Sequence, residues 1–453
     1  MHRADASAEV LTDEVMRYAL DRMAMDPPPL DGPRSLAELQ AAAGETVTEA
    51  GLGGLEALRI FGEVLAPACI SIDHPRFLSF VPSAPTIAAT LFDLVVGAGG
   101  MFGGTWLESA GAVYAENQAL RWLADLAGLP AAAGGVFVSG GSAGNLSALV
   151  AARFAWRHRD PGRAGLRALL ATSTGAHSSV AAAAAVMDAD IVAVRADERG
   201  RMSGDELRRA LDRLSEADRA RLVAVVATAG TTNAGVIDDL AGIAAVAGES
   251  GLWYHVDAAY GGAALSVPRV RQDFDGIEQA DSLVVDPHKW LFAPFDCCAL
   301  LYRDPAVARA AHTQHAEYLD VVTETVDWNP SDYAYHLSRR ARGLPFWFSL
   351  AAYGTAAYAR AVETALDLAA SAAELLRRAG HTELVVEPGL SIVLFRRRGW
   401  SRADYYAWST RTLDAGLAFV VPTSWHGETV LRFCFVNPLT TVEDIEEIIE
   451  SLR

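Results

Sequence analysis

The chain has 453 residues, of which 51% are hydrophobic and 21% are charged, a composition typical of a soluble folded protein with two or three domains. Its formal net charge of −18 argues against nucleic acid as a partner, because phosphate groups are bound by basic surfaces. No uncharged apolar run approaches the ~20 residues that a membrane helix needs, and the N-terminus lacks the apolar core of a signal peptide. The four cysteines have no zinc-binding spacing. We therefore expect a cytoplasmic protein without a metal, a membrane contact or a nucleic acid partner.

Residues 1–84 are predicted to form a helical segment. Apolar residues recur at helical spacing over 8–24, and three consecutive prolines at 27–29 end that helix. Further helices are expected near 35–50 and 52–68. Because this segment is too small and too amphipathic to bury its own apolar face, we expect it to pack on a second subunit.

Residues 85–345 are predicted to form a large α/β domain. Near-continuous apolar runs are typical of strands in a mostly parallel sheet that is covered on both faces. Helical segments lie between most of these runs, at 145–157, 203–214 and 239–250, and they imply βαβ connections. The strands are predicted at 135–139, 168–173, 190–195, 221–228, 253–257, 282–285 and 299–302.

Residues 346–453 are predicted to form a small α+β domain. It begins with one long helix over 346–379, which leads into short strands. The remaining elements are strands near 384–387, 391–396 and 429–436 and helices over 401–416 and 442–452.

Lys289 is the only lysine among the 38 basic residues of the chain. Arginine can replace lysine as a surface cation, but its guanidinium stays protonated and cannot form a Schiff base with a carbonyl group. A coding bias toward arginine could leave one lysine by accident, so the residue is informative only together with its neighbours. It follows a predicted strand in the run Asp286-Pro287-His288-Lys289.

Three more polar features follow predicted strands, where ligands bind in open α/β sheets. A Gly/Ser-rich turn over 139–145 could approach a phosphate group, although such turns are more often only turns. Asp257 ends an apolar strand and could pair with a protonated pyridine nitrogen, or it could cap a helix. His177 could stack on a flat ring, although a lone loop histidine is usually neither catalytic nor a ligand. Together with Lys289, these features describe a pyridoxal phosphate site.

From about residue 74 to the C-terminus, the chain resembles the group II pyridoxal-phosphate decarboxylases, specifically the aromatic-L-amino-acid decarboxylase branch. The set of motifs that carries the resemblance is highly specific. The motifs are His-Pro-Arg-Phe (74–77), Ser-Gly-Gly-Ser-Ala-Gly-Asn-Leu (139–146), Ala-His-Ser-Ser-Val (176–180), Gly-Thr-Thr (230–232), His-Val-Asp-Ala-Ala-Tyr (255–260), Pro-His-Lys-Trp (287–290), Phe-Asp-Cys (295–297), Glu-Tyr-Leu (317–319) and Leu-Arg-Phe (431–433).

The resemblance implies a fold-type I homodimer with a mostly parallel seven-stranded sheet and an active site at the subunit interface. It implies that Lys289 carries the cofactor as a Schiff base and that Asp257 pairs with the pyridine nitrogen. His177 and Ala259 would contact the two faces of the ring, and Thr232 would lie near it. The residues implied around the phosphate are Gly141, Ser142 and His288. Asp286 stands where many relatives have Asn near that phosphate, and its role stays open.

The resemblance also implies a decarboxylation mechanism. The substrate amine replaces Lys289 on the cofactor, and the ring takes up the electrons that CO2 leaves behind. Tyr318, in a loop over about 312–335, is implied as the group that then protonates Cα, acting in the neighbouring subunit's site. In the family, Phe at the position of Tyr318 or Asn at that of His177 diverts the reaction toward an aldehyde. The presence of Tyr and His here favours a simple amine product.

The resemblance places the substrate pocket at six residues: Phe80, Val81, Pro82, Ser83, Gly104 and Ser338. Val81 and Gly104 replace aromatic residues of animal relatives, which reshapes the pocket. Ser338 stands where plant relatives tend to have Ser for phenolic and Gly for indolic substrates. The expected substrates are therefore tyrosine, DOPA or phenylalanine rather than tryptophan.

Three alternatives stay open. The chain could be a decarboxylase of the same fold that acts on a non-aromatic amino acid, or a relative that uses oxygen and releases an aldehyde. It could also be a pyridoxal-phosphate-binding protein without turnover that senses the cofactor or an amino acid. The presence of Lys289, His177 and Tyr318 argues against this last alternative.

Overall fold

The N-terminal segment consists of short helices with little buried surface. The computed structural model describes residue 2, residues 5–315 and residues 328–453. Helices α1 and α2 have no buried residue, so their apolar side chains are only partly covered within one chain. The first helices are α1 (Ala6–Met23), α2 (Leu36–Ala43) and α3 (Gly54–Ile60), and α3 continues into a π-helical turn (Phe61–Leu65) and a 3-10 turn (Ala66–Ala68).

A seven-stranded sheet forms the centre of the molecule, as predicted. Its strand order is β1-β7-β6-β5-β4-β2-β3, and β7 alone runs antiparallel to its neighbours. All seven predicted strands are confirmed to within one residue at each end. They are β1 (Gly134–Val138), β2 (Leu169–Ser173), β3 (Asp190–Val194), β4 (Leu222–Thr228), β5 (Trp253–Asp257), β6 (Ser282–Val285) and β7 (Cys298–Tyr302).

Helices cover both faces of this sheet. Neighbouring residues of one strand belong to separate buried clusters on opposite faces, for example Val225 and Val226 in β4, because strand side chains alternate. Double coverage explains why the strands are apolar throughout. The helices are α4 (Ile87–Gly99), α5 (Trp106–Leu126), α6 (Gly141–Arg159), α7 (Ser178–Val186), α8 (Gly204–Asp212), α9 (Glu216–Arg221), α10 (Leu240–Ser250) and α11 (Pro305–His312).

The C-terminal part contains a four-stranded antiparallel sheet in the order β10-β11-β9-β8. The prediction of one helix over 346–379 is wrong, because Gly354, with φ +76°, ends one helix and precedes the next. Strand β10 was not predicted. The elements are α12 (Leu344–Tyr353), α13 (Thr355–Arg378), β8 (Thr382–Val386), β9 (Ile392–Arg397), α14 (Arg402–Asp414), β10 (Thr423–Trp425), β11 (Glu428–Cys434) and α15 (Val442–Glu450).

The parallel strands determine where a ligand site can lie. Because β1, β2, β4, β5 and β6 run in the same direction, the loops that follow them meet at one edge of the sheet. Within the described ranges, no helix is both long and apolar enough to cross a lipid bilayer. The domain boundaries at 84/85 and 345/346 stay predictions.

Candidate active site

A cavity of about 680 Å³ lies at the carboxyl edge of the parallel strands, a volume typical of small-molecule sites. All eight residues predicted for the cofactor site lie in its lining. Those proposed around the phosphate are Gly141, Ser142 and His288. Those proposed around the ring and the aldehyde are His177, Thr232, Asp257, Ala259 and Lys289.

The turn between β1 and α6 leaves room for an anion. Helix α6 begins at Gly141, and the N–H groups of a first helical turn have no partner within the helix. A Cβ atom at Gly141 would lie 3.2 Å from both the Ala259 Cβ atom and the Asp286 Oδ2 atom. Glycine therefore keeps the backbone open at the floor of the cavity, as close approach to a phosphate requires.

Lys289 forms an ion pair with Asp286. The Lys289 Nζ atom lies 2.8 Å from the Asp286 Oδ2 atom. Burial lowers the pKa of Lys289, but the Asp286 carboxylate raises it more, so the net shift is upward. Burial conversely raises the pKa of Asp286, but its neighbours, Lys289 first, outweigh that effect and lower it. The Lys289 ammonium thus pairs with the Asp286 carboxylate, a contact that the sequence did not predict.

Asp257 is a buried carboxylate at the end of β5. It is 5% exposed, and it accepts hydrogen bonds from the Asn145 Nδ2 atom at 2.8 Å and from the Ala259 backbone N–H at 3.1 Å. Among the described residues, no ion pair involves Asp257. A buried anion is costly without a cation, so this site suits a positively charged ligand atom.

The two histidines of the cavity are oriented by backbone N–H groups. The Nδ1 atom of His177 accepts from the Ser179 N–H at 3.2 Å, and the Nδ1 atom of His288 accepts from the Cys297 N–H at 2.9 Å. Burial lowers the pKa of His288, although Asp286 opposes that shift. A neutral His288 carries its proton on Nε2, where it can donate to an anion.

The predicted substrate-pocket residues do not line this cavity. Phe80 is 60% exposed, whereas Ser83 is buried and donates to the Ala293 carbonyl at 2.8 Å. The space beside Gly104 is already filled, because a Cβ atom there would lie 2.5 Å from the Phe102 ring. Val81 is half-buried, Pro82 is buried and Ser338 is exposed. Their contact with substrate stays a prediction, and Tyr318 lies outside the described residues.

Two buried polar residues near the site had no role assigned from the sequence. Asn145 contacts Asp257 directly. Arg432 is 6% exposed and donates to the Phe80 carbonyl at 2.7 Å, and no ion pair involves it among the described residues. An arginine inside the apolar strand β11 was the available sequence signal, because a buried cation is costly unless it is paired.

The geometry fits pyridoxal phosphate. The lining contains the N-terminus of α6 beside Gly141 and His288, where the Gly141 N–H donates to Asp286 at 3.3 Å. It also contains the Asp257 carboxylate and Lys289. The Asp286 Oδ1 atom is buried without a hydrogen-bond partner in the described part of the chain, which marks a place where a ligand donor can bind. These residues match the anion, the ring nitrogen and the aldehyde of the cofactor.

Comparisons with known proteins agree with this fit. The family model "Pyridoxal-dependent decarboxylase conserved domain" matches residues 56–398. Aromatic-L-amino-acid decarboxylase of Bacillus atrophaeus is 31% identical over 429 residues, which cover 90% of this chain and 87% of that protein. L-2,4-diaminobutyrate decarboxylase of Rhizobium meliloti (strain 1021) is 32% identical over 418 residues, which cover 90% and 83%.

A solved structure shows the same fold over the whole chain. The crystal structure of Oryza sativa TDC with PLP and tryptamine aligns with a TM-score of 0.91 at 26% identity, covering 100% of this chain and 99% of that one. The family match extends over well more than half of the sequence. The chain therefore belongs to the pyridoxal-dependent decarboxylases, and it is a lyase that uses pyridoxal phosphate to remove CO2 from an amino acid.

Proposed function

We propose that the substrate is an aromatic L-amino acid, with tyrosine, DOPA and phenylalanine ahead of tryptophan, and that the product is the amine. The charges of the cavity carry this proposal. Among the described lining residues, Lys289 is the only lysine or arginine, so the lining holds no second such cation for an acidic side chain. The carboxylates of the same described lining are Asp286, which pairs with Lys289, and Asp257, which we assign to the ring nitrogen of the cofactor. An uncharged side chain suits this lining best, and the aromatic residues Phe295 and Tyr335 contribute to it.

The cofactor, when bound, would supply an aldehyde for the substrate amine and a cationic ring that accepts the electron pair left on Cα when CO2 departs. Asp257 keeps the ring nitrogen protonated by pairing with it. Gly141, Ser142 and His288 hold the phosphate, and Lys289 provides the amine that binds the aldehyde between turnovers. His177 and Ala259 hold the ring in place.

The choice between amine and aldehyde rests on Tyr318 and His177. In this proposal, Tyr318 delivers a proton to Cα and thereby completes amine formation before oxygen reacts. Replacement of Tyr318 by Phe keeps the aromatic side chain but removes its hydroxyl proton, so we expect amine release to stop. A sensor without turnover would instead bind amino acids equally well before and after this substitution.

We also propose a homodimer whose subunits cover each other's N-terminal helices. Apolar side chains are exposed on these helices in the single chain, with Leu20 at 52% and Leu36 at 72% exposed. Helix α4 likewise exposes Ile87 at 61% and Leu94 at 49%. Light scattering should give a mass twice the 48.2 kDa of the chain, whereas the mass of a single chain would contradict the proposal.

The test of the substrate is a comparison of kcat/KM for tyrosine, DOPA, phenylalanine, tryptophan and L-2,4-diaminobutyrate. We expect the three phenyl and phenolic substrates to exceed the others. The second candidate, diaminobutyrate, is favoured by the relative of that name at 32% identity. If diaminobutyrate has the highest kcat/KM, the decarboxylase assignment stands and the aromatic proposal is wrong.

A further inference from the structure

A buried chain of hydrogen bonds connects Asp257 to residues in and next to the lining of the cofactor site. Asn145 is its centre: the Nδ2 atom lies 2.8 Å from the Asp257 Oδ2 atom and 2.9 Å from the Ser179 Oγ atom. The Oδ1 atom of Asn145 lies 2.9 Å from the His255 Nε2 atom. Asn145 is 1% exposed and His255 is 0% exposed, so water does not compete for these bonds.

The chain continues in both directions. On one side, the His255 Nδ1 atom lies 2.8 Å from the Ser282 Oγ atom, which accepts from the Trp253 Nε1–H at 2.8 Å. On the other side, the Ser179 Oγ atom lies 2.8 Å from the His177 Nδ1 atom. The network therefore joins the proposed ring-nitrogen partner, Asp257, to the proposed ring-stacking residue, His177.

The donors of this network can be assigned in one direction. An ionised carboxylate only accepts hydrogen bonds, so the amide nitrogen of Asn145 must face Asp257 and its oxygen must face His255. His255 consequently donates from Nε2. Burial lowers the pKa of His255 to about 4, so the ring is neutral and its Nδ1 atom accepts the proton of Ser282.

The same reasoning fixes His177. Its Nδ1 atom accepts the backbone N–H of Ser179, so this atom carries no proton of its own. The Ser179 hydroxyl accepts from Asn145 and donates its proton to the same Nδ1 atom. A neutral His177 must then carry its proton on Nε2. Rotating the Asn145 amide by 180° would place its oxygen next to the Asp257 carboxylate. It would also exchange donor and acceptor in the hydrogen bonds that follow along the network.

We propose that Asn145 and His255 are positioning residues that fix the Asp257 carboxylate and the Ser179 hydroxyl beside His177. His255 locks the orientation of the Asn145 amide, and that amide donates to both Asp257 and Ser179. One buried histidine thereby sets the hydrogen bonding of two cofactor-facing residues. This inference rests on the proposed roles of Asp257 and His177.

The test uses the holoenzyme and compares two substitutions of His255. His255→Leu removes the donor that holds Asn145, whereas His255→Gln retains an N–H group. We expect His255→Leu to weaken pyridoxal phosphate binding by about tenfold, since the Asn145 amide that donates to Asp257 loses the bond that fixes its orientation. It should also shift the pH dependence of the bound cofactor's absorbance, while His255→Gln restores both properties to near wild-type values.

A second pair of variants covers the case in which His255→Leu does not fold. Ser282→Ala removes the hydroxyl that fixes the His255 tautomer, and Ser349→Ala removes another buried hydroxyl with two hydrogen bonds. Both should lower thermal stability, but only Ser282→Ala should change cofactor affinity and the absorbance profile. Unchanged affinity and an unchanged profile in folded His255→Leu or Ser282→Ala would overturn the inference.

Asp257→Asn separates this inference from the proposed function. If Asp257→Asn weakens cofactor binding and the His255 and Ser282 variants do not, only the positioning role is wrong. If Asp257→Asn binds the cofactor as wild type does, the proposed role of Asp257 fails and the positioning role fails with it.

Discussion

At the scale of single residues, Asp286 favours the charged form of Lys289, the predicted Schiff-base lysine. Its carboxylate lies 2.8 Å from the Lys289 ammonium and raises the pKa of Lys289 against the opposing effect of burial. A lysine must lose its proton before it can react with an aldehyde. The ion pair therefore favours the protonated form of Lys289.

Asp286→Asn should release Lys289 from this ion pair. We expect the pKa of Lys289 to fall, because the opposing carboxylate is lost and burial remains. Reconstitution of the apoenzyme at neutral pH should become several-fold faster, as followed by the absorbance of the bound cofactor. Asp205→Asn, at an exposed position on α8, is the control and should leave the rate unchanged. Slower reconstitution of Asp286→Asn would show that Asp286 assists cofactor binding instead.

His255 should make the folded state sensitive to mild acid. Its pKa is lowered by burial from 6.5 to about 4, so between these values the unfolded chain takes up a proton that the folded chain does not. The stabilisation is fully present above pH 6.5 and is lost as the pH falls toward 4. Between pH 7 and pH 5 the loss should be about 2 kcal/mol, at about 1.4 kcal/mol per pH unit.

The measurement is the free energy of unfolding in urea at several pH values for wild type and His255→Gln. Other histidines titrate in both proteins, so the difference between the two curves isolates His255. The His255→Gln protein should lose less stability on acidification. Parallel curves would mean that His255 is already protonated in the folded protein.

The sequence singled out residues whose chemistry is unusual for their location, and their roles stay predictions. A lone lysine and a carboxylate at the end of an apolar strand were both assigned, because each is costly or rare outside a functional site. The sequence analysis assigned no role to Asn145 or Arg432. Both are buried, and their partners His255 and Phe80 are distant in the sequence, which local patterns do not encode.

At the scale of secondary-structure elements, the strands were predictable because they are buried on both faces. A continuous apolar run such as β4 indicates a strand buried on both faces when helical segments stand on either side of it in the sequence. The long C-terminal helix was mispredicted because helical periodicity continues on both sides of Gly354. The interruption comes from the backbone conformation of Gly354, with φ +76° and ψ 153°, which only glycine adopts readily.

Gly354→Ala should therefore destabilise the fold. No atom lies within 4 Å of the position of an added Cβ atom, so the cost would come from backbone strain alone, about 1–3 kcal/mol. Gly248→Ala is the matched control: it also meets no atom within 4 Å, but it lies inside α10 and should stabilise by up to about 1 kcal/mol. Thermal unfolding of the two variants measures both effects. Equal shifts in the same direction would contradict this explanation of the helix break.

At the scale of the whole molecule, the active site depends on the meeting of five strand ends. Residues separated by more than a hundred positions, such as Asn145 and Asp257, come into contact only because the parallel strands share one edge. The residues that the resemblance implies for the cofactor lie together in this cavity, whereas the substrate-pocket residues lie elsewhere in the single chain. The roles of both sets stay predictions. A second subunit that brings Gly104 and Ser338 to the cavity would explain both observations.

The central claim is that this enzyme converts an aromatic amino acid to its amine without oxidation. The most direct test supplies the holoenzyme with carboxyl-labelled tyrosine in air and measures labelled CO2, tyramine, the aldehyde and oxygen uptake together. We expect equal amounts of labelled CO2 and tyramine, no aldehyde and no oxygen uptake, with no reaction in Lys289→Arg. Labelled CO2 accompanied by aldehyde and oxygen uptake, or the absence of labelled CO2 from every aromatic amino acid, would contradict the claim.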